Sequence, residues 1–328
     1  MPRSLTAGIE RWPVAGAFTI ARGAKTHVDI VKATIAHDGA VGRGEATPIY
    51  YHGETAENVL AAVLGMRGPI EGGMGRDELT TLLPRGAARN ALDAALWDLE
   101  AKLSGTPAWR IAGLEEPKPL VTAYTISLGA PERMRADAEK AAEIYPLLKL
   151  KLAGEGDLER VAAVRAGAPR ARLIVDANEA WTGLDVVHEA SALAAFGVEL
   201  IEQPVRAGED AQLDGLESPI PLCADESCQD RADLVRCVGR YQAINIKLDK
   251  AGGLTEALAL ADEARAAGLE LMVGCMLSTS LGIAPATLIG QWARWVDLDG
   301  PLLLAEDRNP GIGFAGASLA PPSPALWG

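Results

Sequence analysis

The sequence lacks any C-x-x-C pair, so neither a zinc knuckle nor a dithiol redox motif is indicated. Its four cysteines are Cys223, Cys228, Cys237 and Cys275. Cys223 and Cys275 stand in apolar, strand-like runs and are predicted to be small core residues, as expected in a reducing compartment. The N-terminus also lacks a basic region followed by an apolar core, so no signal peptide is apparent and a cytoplasmic location is predicted.

Positive charge is scarce, since 31 Lys and Arg stand against 44 Asp and Glu, for a formal net charge of −13. No basic stripe is present, so nucleic acid is not an expected partner, and an acidic surface disfavours anionic membranes. No apolar run is long enough to span a bilayer, so a membrane partner is not expected either. The 328 residues suffice for a large core and two domains, and a homo-oligomer is compatible with them.

Three apolar runs typical of buried strands each end on a carboxylate: LIVDAN with Asp176, LIEQP with Glu202 and PLCADES with Asp225. Asp and Glu are rarely buried unless they are paired or bind a metal. Asp176 alone could be a helix N-cap, but acids at the ends of three successive strands favour one shared cation. An all-oxygen ligand set favours Mg²⁺ over zinc or copper.

From about residue 120, short apolar runs alternate with Ala-rich helical stretches, which indicates βα units and a parallel sheet. The runs recur about every 25 residues, close to the unit of a (β/α)₈ barrel. The predicted fold class is therefore α/β, a (β/α)₇β TIM-type barrel. The eight predicted strands are residues 122–127, 147–152, 173–178, 200–204, 221–226, 243–248, 270–275 and 295–300.

The first part of the chain has a different pattern, with strand-rich sequence up to about residue 50 and a hairpin turn signal at Asp38-Gly39. Helical spacing of apolar residues predicts helices over 55–65 and 87–103. These features predict an α+β domain over 1–116, followed by the barrel over 117–300. A Pro- and Gly-rich segment, 301–328, is predicted to return to the N-terminal domain.

Lysines stand at the ends of two further strands. Lys149 and Lys151 share one face of LLKLKL, whereas the leucines share the other, and Asn245 and Lys247 share a face of AINIKL. Active sites of such barrels lie at the C-terminal ends of the strands, so these side chains are predicted to meet the three acids. A single lysine at a strand end is usually a solvated tip, but two on one inward face do not fit that description.

This set of residues indicates proton abstraction next to a carboxylate. A divalent metal bound to a substrate carboxylate stabilises a dianionic ene-diolate. A nearby cation and partial burial both lower the pKa of a lysine, so that it can act as a base. Lysines on the second and sixth strands lie across the barrel, on opposite faces of one carbon, which indicates racemisation or epimerisation.

The motifs K-x-K at Lys149, DAN at Asp176, EQP at Glu202, ADES at Asp225 and NIKLDKAGG around Lys247 together resemble the enolase superfamily. More narrowly, they resemble its muconate-lactonizing subgroup, which uses a lysine on the sixth strand. The GRGEATP loop and the AARNALDAALWDLEAK helix extend the resemblance over an N-terminal capping domain, and so over nearly the whole chain. VDLDGP and FTIARG resemble the dipeptide epimerases of this subgroup. No histidine appears on the seventh strand, which argues against the His-base racemases.

The resemblance implies a role for each matching residue. The implied Mg²⁺ ligands are Asp176, Glu202 and Asp225, with Asn178 and Asn245 beside them, and the implied acid/bases are Lys151 and Lys247. The implied substrate contacts are Lys149 near the carboxylate, Asp297 and Asp299 at the α-ammonium, Arg22 at a glutamate side chain, and Cys275, Met276 and Leu277 along the substrate's path.

The implied activity is that of an isomerase: Mg²⁺-dependent epimerisation of L-Ala-D/L-Glu dipeptides by two-lysine 1,1-proton transfer through an ene-diolate, in the recycling of murein peptides. Other interpretations of these residues and of the scaffold stay open. Asp297 and Asp299 could form a charged turn, and Arg22 could be a surface arginine. The scaffold could instead serve a cycloisomerase, an o-succinylbenzoate synthase, an epimerase of other dipeptides, or a barrel that binds a ligand without catalysis. Substrates without an ammonium group would leave Asp297 and Asp299 without a role.

Overall fold

The N-terminal part of the chain forms an antiparallel sheet. The computed structural model describes residues 2–20 and 23–328. Strands β1 (Ser4–Ile20), β2 (Gly23–His37) and β3 (Ala40–Ala46) pair in the order β1-β2-β3. The predicted hairpin turn between β2 and β3 is confirmed, because Asp38 and Gly39 have φ angles of 44° and 84°.

Helices follow this sheet, and the two that were predicted are confirmed. The first begins after Thr55, whose side chain accepts a hydrogen bond from the Asn58 N–H across 3.2 Å and so caps the helix. Three shorter helices were not predicted. The helices of this part are α1 (Ala56–Gly65), α2 (Arg67–Glu71), α3 (Arg76–Leu82), α4 (Ala87–Ser104) and α5 (Ala108–Ile111).

A parallel barrel follows, and its eight strands overlap the eight predicted runs, so the predicted fold class is confirmed. The strands are hydrogen-bonded in sequence order, and the Ala123 N–H donates to the Val296 carbonyl across 2.7 Å, which joins the first strand to the last. After β4 (Leu120–Val121), the barrel strands are β5 (Tyr124–Ile126), β6 (Leu147–Lys151), β7 (Arg172–Asp176), β8 (Val198–Glu202), β9 (Leu222–Ala224), β10 (Ala243–Ile246), β11 (Glu270–Gly274) and β12 (Trp295–Asp297).

Helices cover the outside of the barrel. Between β8 and β9 the chain has only a 3₁₀ turn, Asp210–Leu213, in a stretch interrupted by Gly208, Gly215 and Pro219, which disfavour a helix. The outer helices are α6 (Pro131–Ala141), α7 (Asp157–Gly167), α8 (Val186–Ala194), α9 (Arg231–Cys237), α10 (Leu248–Ala251), α11 (Leu254–Ala266), α12 (Ser280–Ile283) and α13 (Ala286–Gly290).

The two faces of each barrel strand pack in different parts of the protein. The outward leucines of β6 and isoleucines of β10 pack in one apolar core with the surrounding helices, as the alternation predicted. Inside the barrel, a separate layer closes the end opposite the site. Each strand or its leading residue contributes one side chain to this layer: Ala123, Leu147, Ile174, Leu200, Cys223, Ala243, Met272 and Trp295.

The C-terminal segment contacts both parts of the chain. Strands β13 (Phe314–Ala315) and β14 (Ser318–Leu319) pair with β4 beside the barrel. The Trp327 indole N–H donates to the Ala94 carbonyl of α4 across 2.9 Å. The proposed domain limits at 116 and 300 stay predictions. Among the described residues, the helices are too short or too polar to cross a membrane.

Two glycines let β3 lie directly on α4. A Cβ added at Gly44 would lie 2.1 Å from the Ala91 carbonyl oxygen and 2.7 Å from the Ala95 nitrogen. A Cβ added at Gly42 would lie 2.1 Å from the Ala95 carbonyl oxygen. These are backbone atoms of a helix and cannot move singly, so the GRG sequence sets the distance between the sheet and its covering helix.

We therefore expect Gly44→Ala to destabilise the protein by roughly 1–3 kcal/mol, as overpacking a close contact does. Urea unfolding followed by circular dichroism measures the change. Gly8→Ala is the matched control in β1 of the same sheet, because a Cβ there meets nothing within 4 Å. Equal stability of the two variants would contradict the role given to Gly44.

Candidate active site

A cavity of about 340 Å³ lies at the C-terminal ends of the barrel strands. The tips of β1 and β2 and the turn at Tyr50–His52 cover it. Barrel and N-terminal residues therefore share its walls. The lining residues include Phe18, Ile20, Lys25, Thr47, Tyr50 and Tyr51 from the N-terminal part, and Thr125, Lys149, Lys151, Asn178, Asp225, Lys247, Cys275, Met276, Leu277, Asp297 and Asp299 from the barrel.

Three carboxylates converge below this cavity. Asp176 and Glu202 are the last residues of β7 and β8, and Asp225 follows β9 directly. Each offers an oxygen, and the three oxygens lie within 4.8 Å of one another. All three residues are buried. Three close, buried carboxylate oxygens are a suitable donor set for a hard divalent cation such as Mg²⁺, and their roles as ligands stay a prediction.

Lys149 lies among these acids as a fixed cation. Its Nζ is 2.5 Å from Glu202 Oε2, 2.8 Å from Asp297 Oδ2 and 3.4 Å from Asp176 Oδ2. Burial opposes the charge on Lys149, but the three carboxylates outweigh burial and raise the pKa of its ammonium well above the usual value. Lys149 therefore stays charged.

Lys151 and Lys247 both reach the cavity, from strands that lie four apart around the barrel. Lys151 Nζ is 2.6 Å from Asp176 Oδ2, and Lys247 Nζ is 2.5 Å from Asp225 Oδ2. For Lys247 the expected lowering of the pKa is not observed. Burial does lower it, but Asp225 outweighs burial, and the pKa of Lys247 is raised. Each candidate acid/base is thus paired with a candidate metal ligand.

Lys250 completes this charge cluster, and the sequence reasoning missed it. Its Nζ lies 2.6 Å from Asp225 Oδ1 and donates to the Cys228 and Asn245 carbonyls across 3.0 and 3.1 Å. Burial would raise the pKa of Asp225, yet Lys247 and Lys250 hold it well below its usual value. The signal available was the second lysine in NIKLDK, which lies on a helix rather than a strand.

The pKa values of the other two ligand candidates are shifted in opposite directions. Burial, followed by the charge of Asp176, raises the pKa of Glu202 to about 7. Burial acts on Asp176 as well, but Lys151 and Lys149 lower its pKa to about 2. Asn245 supports Glu202, because its Nδ2 donates to Glu202 Oε1 across 2.7 Å.

Asp297 and Asp299 line the cavity on the side where β12 meets β5. Both are buried, which argues against an exposed charged turn. Asp297 pairs with Lys149, and the Thr125 N–H donates to Asp299 Oδ2 across 2.7 Å. Burial, and then the charge of Asp297, raises the pKa of Asp299 to about 7. These acids could accept an ammonium group or another hydrogen-bond donor.

The remaining predicted contacts are distributed around the same cavity. Cys275, Met276 and Leu277 line it after β11, and Asn178 lines it after β7. Asn178 has a φ of 44°, and its N–H donates to Asp176 Oδ1 across 2.9 Å. Arg22 lies outside the residues that the structure describes.

Asp249 lies on α10, two residues after Lys247, and hydrogen-bonds to the N-terminal part of the chain. Its Oδ1 accepts hydrogen bonds from the Thr47 N–H across 3.0 Å and from Asn90 Nδ2 across 2.9 Å. Thr47 in turn donates through its hydroxyl to the Leu277 carbonyl across 2.7 Å. Burial raises the pKa of Asp249 to about 7, so this contact is sensitive to pH.

Asp249→Asn should therefore change how stability depends on pH. The unfolded chain ionises this aspartate near pH 4, but the folded chain keeps the proton to about pH 7. Its contribution to the free energy of unfolding is full below pH 4 and is lost as the pH rises to 7. Across that window we expect Asp249→Asn to gain roughly 2–4 kcal/mol relative to the wild type, measured by urea unfolding. The exposed Asp77→Asn is the control, and parallel curves for wild type and Asp249→Asn would contradict the prediction.

Comparison with protein families gives two matches that cover most of the chain. Residues 4–113 match the N-terminal domain of the mandelate racemase / muconate lactonizing enzyme family, and residues 133–300 match the enolase C-terminal domain-like family. The first match covers the β1–β3 sheet and its helices, and the second covers most of the barrel with the three acids. The resemblance found in the sequence is therefore confirmed.

Individual relatives have related activities. The L-Ala-D/L-Glu epimerase of Escherichia coli K12 is 43% identical over 314 residues, which are 94% of this chain and 97% of the relative. The N-acetyl-D-glutamate racemase of a Pseudoalteromonas species is 47% identical over 251 residues, which are 76% of this chain and 79% of the relative.

Solved structures agree in fold. An enolase family member from Agrobacterium tumefaciens, with bound sodium and L-Ala-L-Glu, superimposes with a TM-score of 0.97 at 50% identity and full coverage of both chains. A dipeptide epimerase from Enterococcus faecalis, in complex with Mg and L-Leu-L-Tyr, superimposes with a TM-score of 0.91 at 29% identity over 98% of both chains.

Proposed function

The chain belongs to the mandelate racemase / muconate lactonizing enzyme family of the enolase superfamily, among its dipeptide epimerases, and from this membership we propose that it epimerises L-Ala-D/L-Glu dipeptides by 1,1-proton transfer. One observation carries the proposal: Lys151 and Lys247 reach a single cavity from opposite sides of a buried cluster of three carboxylates. Two acid/bases on opposite faces of one carbon can remove a proton from one face and return a proton to the other.

The carboxylate cluster is proposed as a Mg²⁺ site formed by Asp176, Glu202 and Asp225. Its oxygen-only donor set supports a hard divalent cation, and a dipeptide epimerase of the same fold contains Mg. When bound, Mg²⁺ supplies positive charge beside the substrate's α-carboxylate, where negative charge develops as the α-proton leaves.

The two lysines would exchange roles between the two directions. Starting from the L,L dipeptide, one lysine accepts the α-proton as a free amine, and the other, as an ammonium, donates a proton to the opposite face. In the reverse direction the same two groups act in the opposite sense. Lys149, whose Nζ lies within 3.4 Å of three carboxylates, would supply positive charge near the substrate carboxylate.

The α-ammonium of the dipeptide is proposed to contact Asp297 and Asp299. These acids lie on the β12–β5 side of the cavity, and the Thr125 N–H and Lys149 fix their orientation. Arg22 stays the sequence-based candidate for the glutamate side chain. The role in murein peptide recycling and the cytoplasmic location also stay predictions.

A second candidate is racemisation of N-acylated glutamate. The N-acetyl-D-glutamate racemase among the relatives favours it. So does the charge on the β12–β5 side: Asp297 is already paired with Lys149, and the raised pKa of Asp299, about 7, lets it donate a proton to an acyl oxygen. Asp297→Asn separates the two candidates, because it should impair substrates with a free ammonium group and spare N-acyl substrates.

The direct test is proton NMR of L-Ala-L-Glu with the protein and Mg²⁺ in D₂O. We expect the glutamate α-proton to exchange and the L,D diastereomer to appear. Lys151→Ala and Lys247→Ala should each reduce epimer formation by about 10²–10⁴-fold, the usual contribution of one acid/base. Lys140→Ala, on the outer helix α6, is the control. Exchange without a second diastereomer would contradict two-base epimerisation, and exchange of N-acetylglutamate alone would favour the second candidate.

The metal site can be tested without turnover. Added Mg²⁺ should stabilise the folded protein by about 2.7 kcal/mol at a concentration 100 times its Kd, since only the folded state holds the three carboxylates together. Glu202→Gln should remove most of this gain in a thermal or urea unfolding measurement.

Glu256→Gln is the control for this metal test. Glu256 is also buried, but it pairs with Arg231 on the outside of the barrel. The metal proposal would fail if Mg²⁺ stabilised Glu202→Gln as much as wild type, or stabilised neither protein.

A further inference from the structure

Gln203 is a fully buried residue that directly follows the candidate metal ligand Glu202. Its backbone has a φ of 37°, in the left-handed region that residues other than glycine rarely adopt. Two backbone hydrogen bonds support this conformation. The Gln203 N–H donates to the Cys223 carbonyl across 2.8 Å, and the Gln203 carbonyl accepts from the Glu179 N–H across 2.8 Å. The backbone of Gln203 therefore joins the end of β8 to β9 and to the loop after β7.

The side chain of Gln203 contacts the loop that carries the next candidate ligand. Its Oε1 accepts hydrogen bonds from the Asp225 N–H across 2.8 Å and from the Ser227 N–H across 3.1 Å. Its Nε2 donates to the Val205 carbonyl and to Ser227 Oγ, each across 2.7 Å. Both N–H groups and both lone pairs of the amide are thus used, so the orientation of this side chain is fixed.

Asp225 lies just beyond the strand pairing that orders the barrel. Strand β9 pairs with β8 up to Cys223 and with β10 up to Ala224, so neither pairing includes Asp225. The Asp225 N–H donates to the Gln203 side chain instead, and the Asp225 carbonyl accepts from Lys250 Nζ. Gln203 therefore connects the backbones of two neighbouring candidate ligands at the point where their strands have stopped pairing.

A buried network lies behind the Gln203 amide. Ser227 Oγ donates to Asp210, and the Tyr241 hydroxyl donates to Asp210 Oδ1 across 2.6 Å. The Tyr241 hydroxyl also lies 3.4 Å from Gln203 Nε2. In the described chain, none of these four side chains lines the cavity. They act on the site through the residues that they hold rather than by contact with a substrate.

We infer that Gln203 is a positioning residue, which sets the separation of the proposed Mg²⁺ ligands Glu202 and Asp225 and thereby the affinity of the site for the metal. This inference rests on the Mg²⁺ site of the proposed function and deepens it. If the loop at Asp225 were not fixed, metal binding would have to order it, and the affinity would be lower by the free energy of ordering. The hydrogen bonds of Gln203 remove that penalty, because they hold the loop before the metal binds.

The test measures the Mg²⁺ affinity of Gln203→Asn and Gln203→Met. Asn tolerates the left-handed backbone but is one methylene too short for its oxygen to keep both contacts, and Met keeps the length of the side chain without the amide. We expect each variant to raise the Kd for Mg²⁺ by about 10- to 100-fold, the usual effect of removing a group that orients a metal ligand. The dependence of the free energy of unfolding on Mg²⁺ concentration gives this Kd.

This measurement separates positioning from a general loss of stability. A residue with only a structural role would lower the stability without Mg²⁺ and leave the gain on adding Mg²⁺ unchanged. Epimerase activity gives a second readout, because the activity that the Gln203 variants lose at low Mg²⁺ should return at saturating Mg²⁺.

Tyr241→Phe is the matched control. It removes a buried polar group from the same network but leaves the four hydrogen bonds of the Gln203 amide in place. We expect it to lower the stability and to leave the Kd for Mg²⁺ unchanged. An unchanged Kd in both Gln203 variants, or an equal rise in Tyr241→Phe, would overturn the role of Gln203 and leave the metal site intact. If Mg²⁺ fails to stabilise the wild type, the proposed metal site is wrong and this inference with it.

Discussion

Buried charge has to be balanced, and the candidate site depends on this constraint. In the described chain, Asp176, Glu202, Asp225 and Asp297 lie against ammonium groups from neighbouring elements. An unpaired buried charge destabilises the folded state by several kcal/mol. Removal of one member of a buried ion pair therefore leaves its partner as such an unpaired charge. The strand ends can bury their acids because other strands, and helix α10, supply cations. The pairs are Lys149 with Glu202 and Asp297, Lys151 with Asp176, and Lys247 and Lys250 with Asp225.

The alternation of side chains along each strand explains why much of this site could be predicted. One side chain per strand fills the closed end of the barrel, and two residues further on the chain points inward again. That second position gives a ring that contains the three carboxylates of the cluster: Thr125, Lys149, Asp176, Glu202, Asp225, Asn245, Gly274 and Asp297. The sequence pattern therefore predicted eight strands and the inward acids correctly, because period-two alternation is a local property of a strand.

Residues outside that alternation could not be predicted. Lys250 lies on a helix, where the strand rule does not apply, and Lys25 reaches the cavity only because the β1–β2 ribbon folds over the barrel. Gly274 leaves room for two neighbouring side chains. A Cβ there would lie 2.7 Å from Asn245 Oδ1 and 3.0 Å from Lys247 Cε. A glycine in a strand has many explanations in a sequence, and only the neighbouring side chains distinguish them. The prediction for Arg22 stands untested.

Two kinds of structure form the walls of the cavity. Lys151 and Lys247 belong to the strand ends of a closed barrel, whose backbone is hydrogen-bonded to neighbours on both sides. Another wall of the cavity, which includes Phe18 and Lys25, belongs to the antiparallel β1–β2 ribbon of the N-terminal part of the chain. Substitutions in that ribbon change the wall of the cavity without moving the lysines. The charge pairs that hold the lysines do not involve this ribbon, so a change in that wall of the cavity can leave the pairs intact.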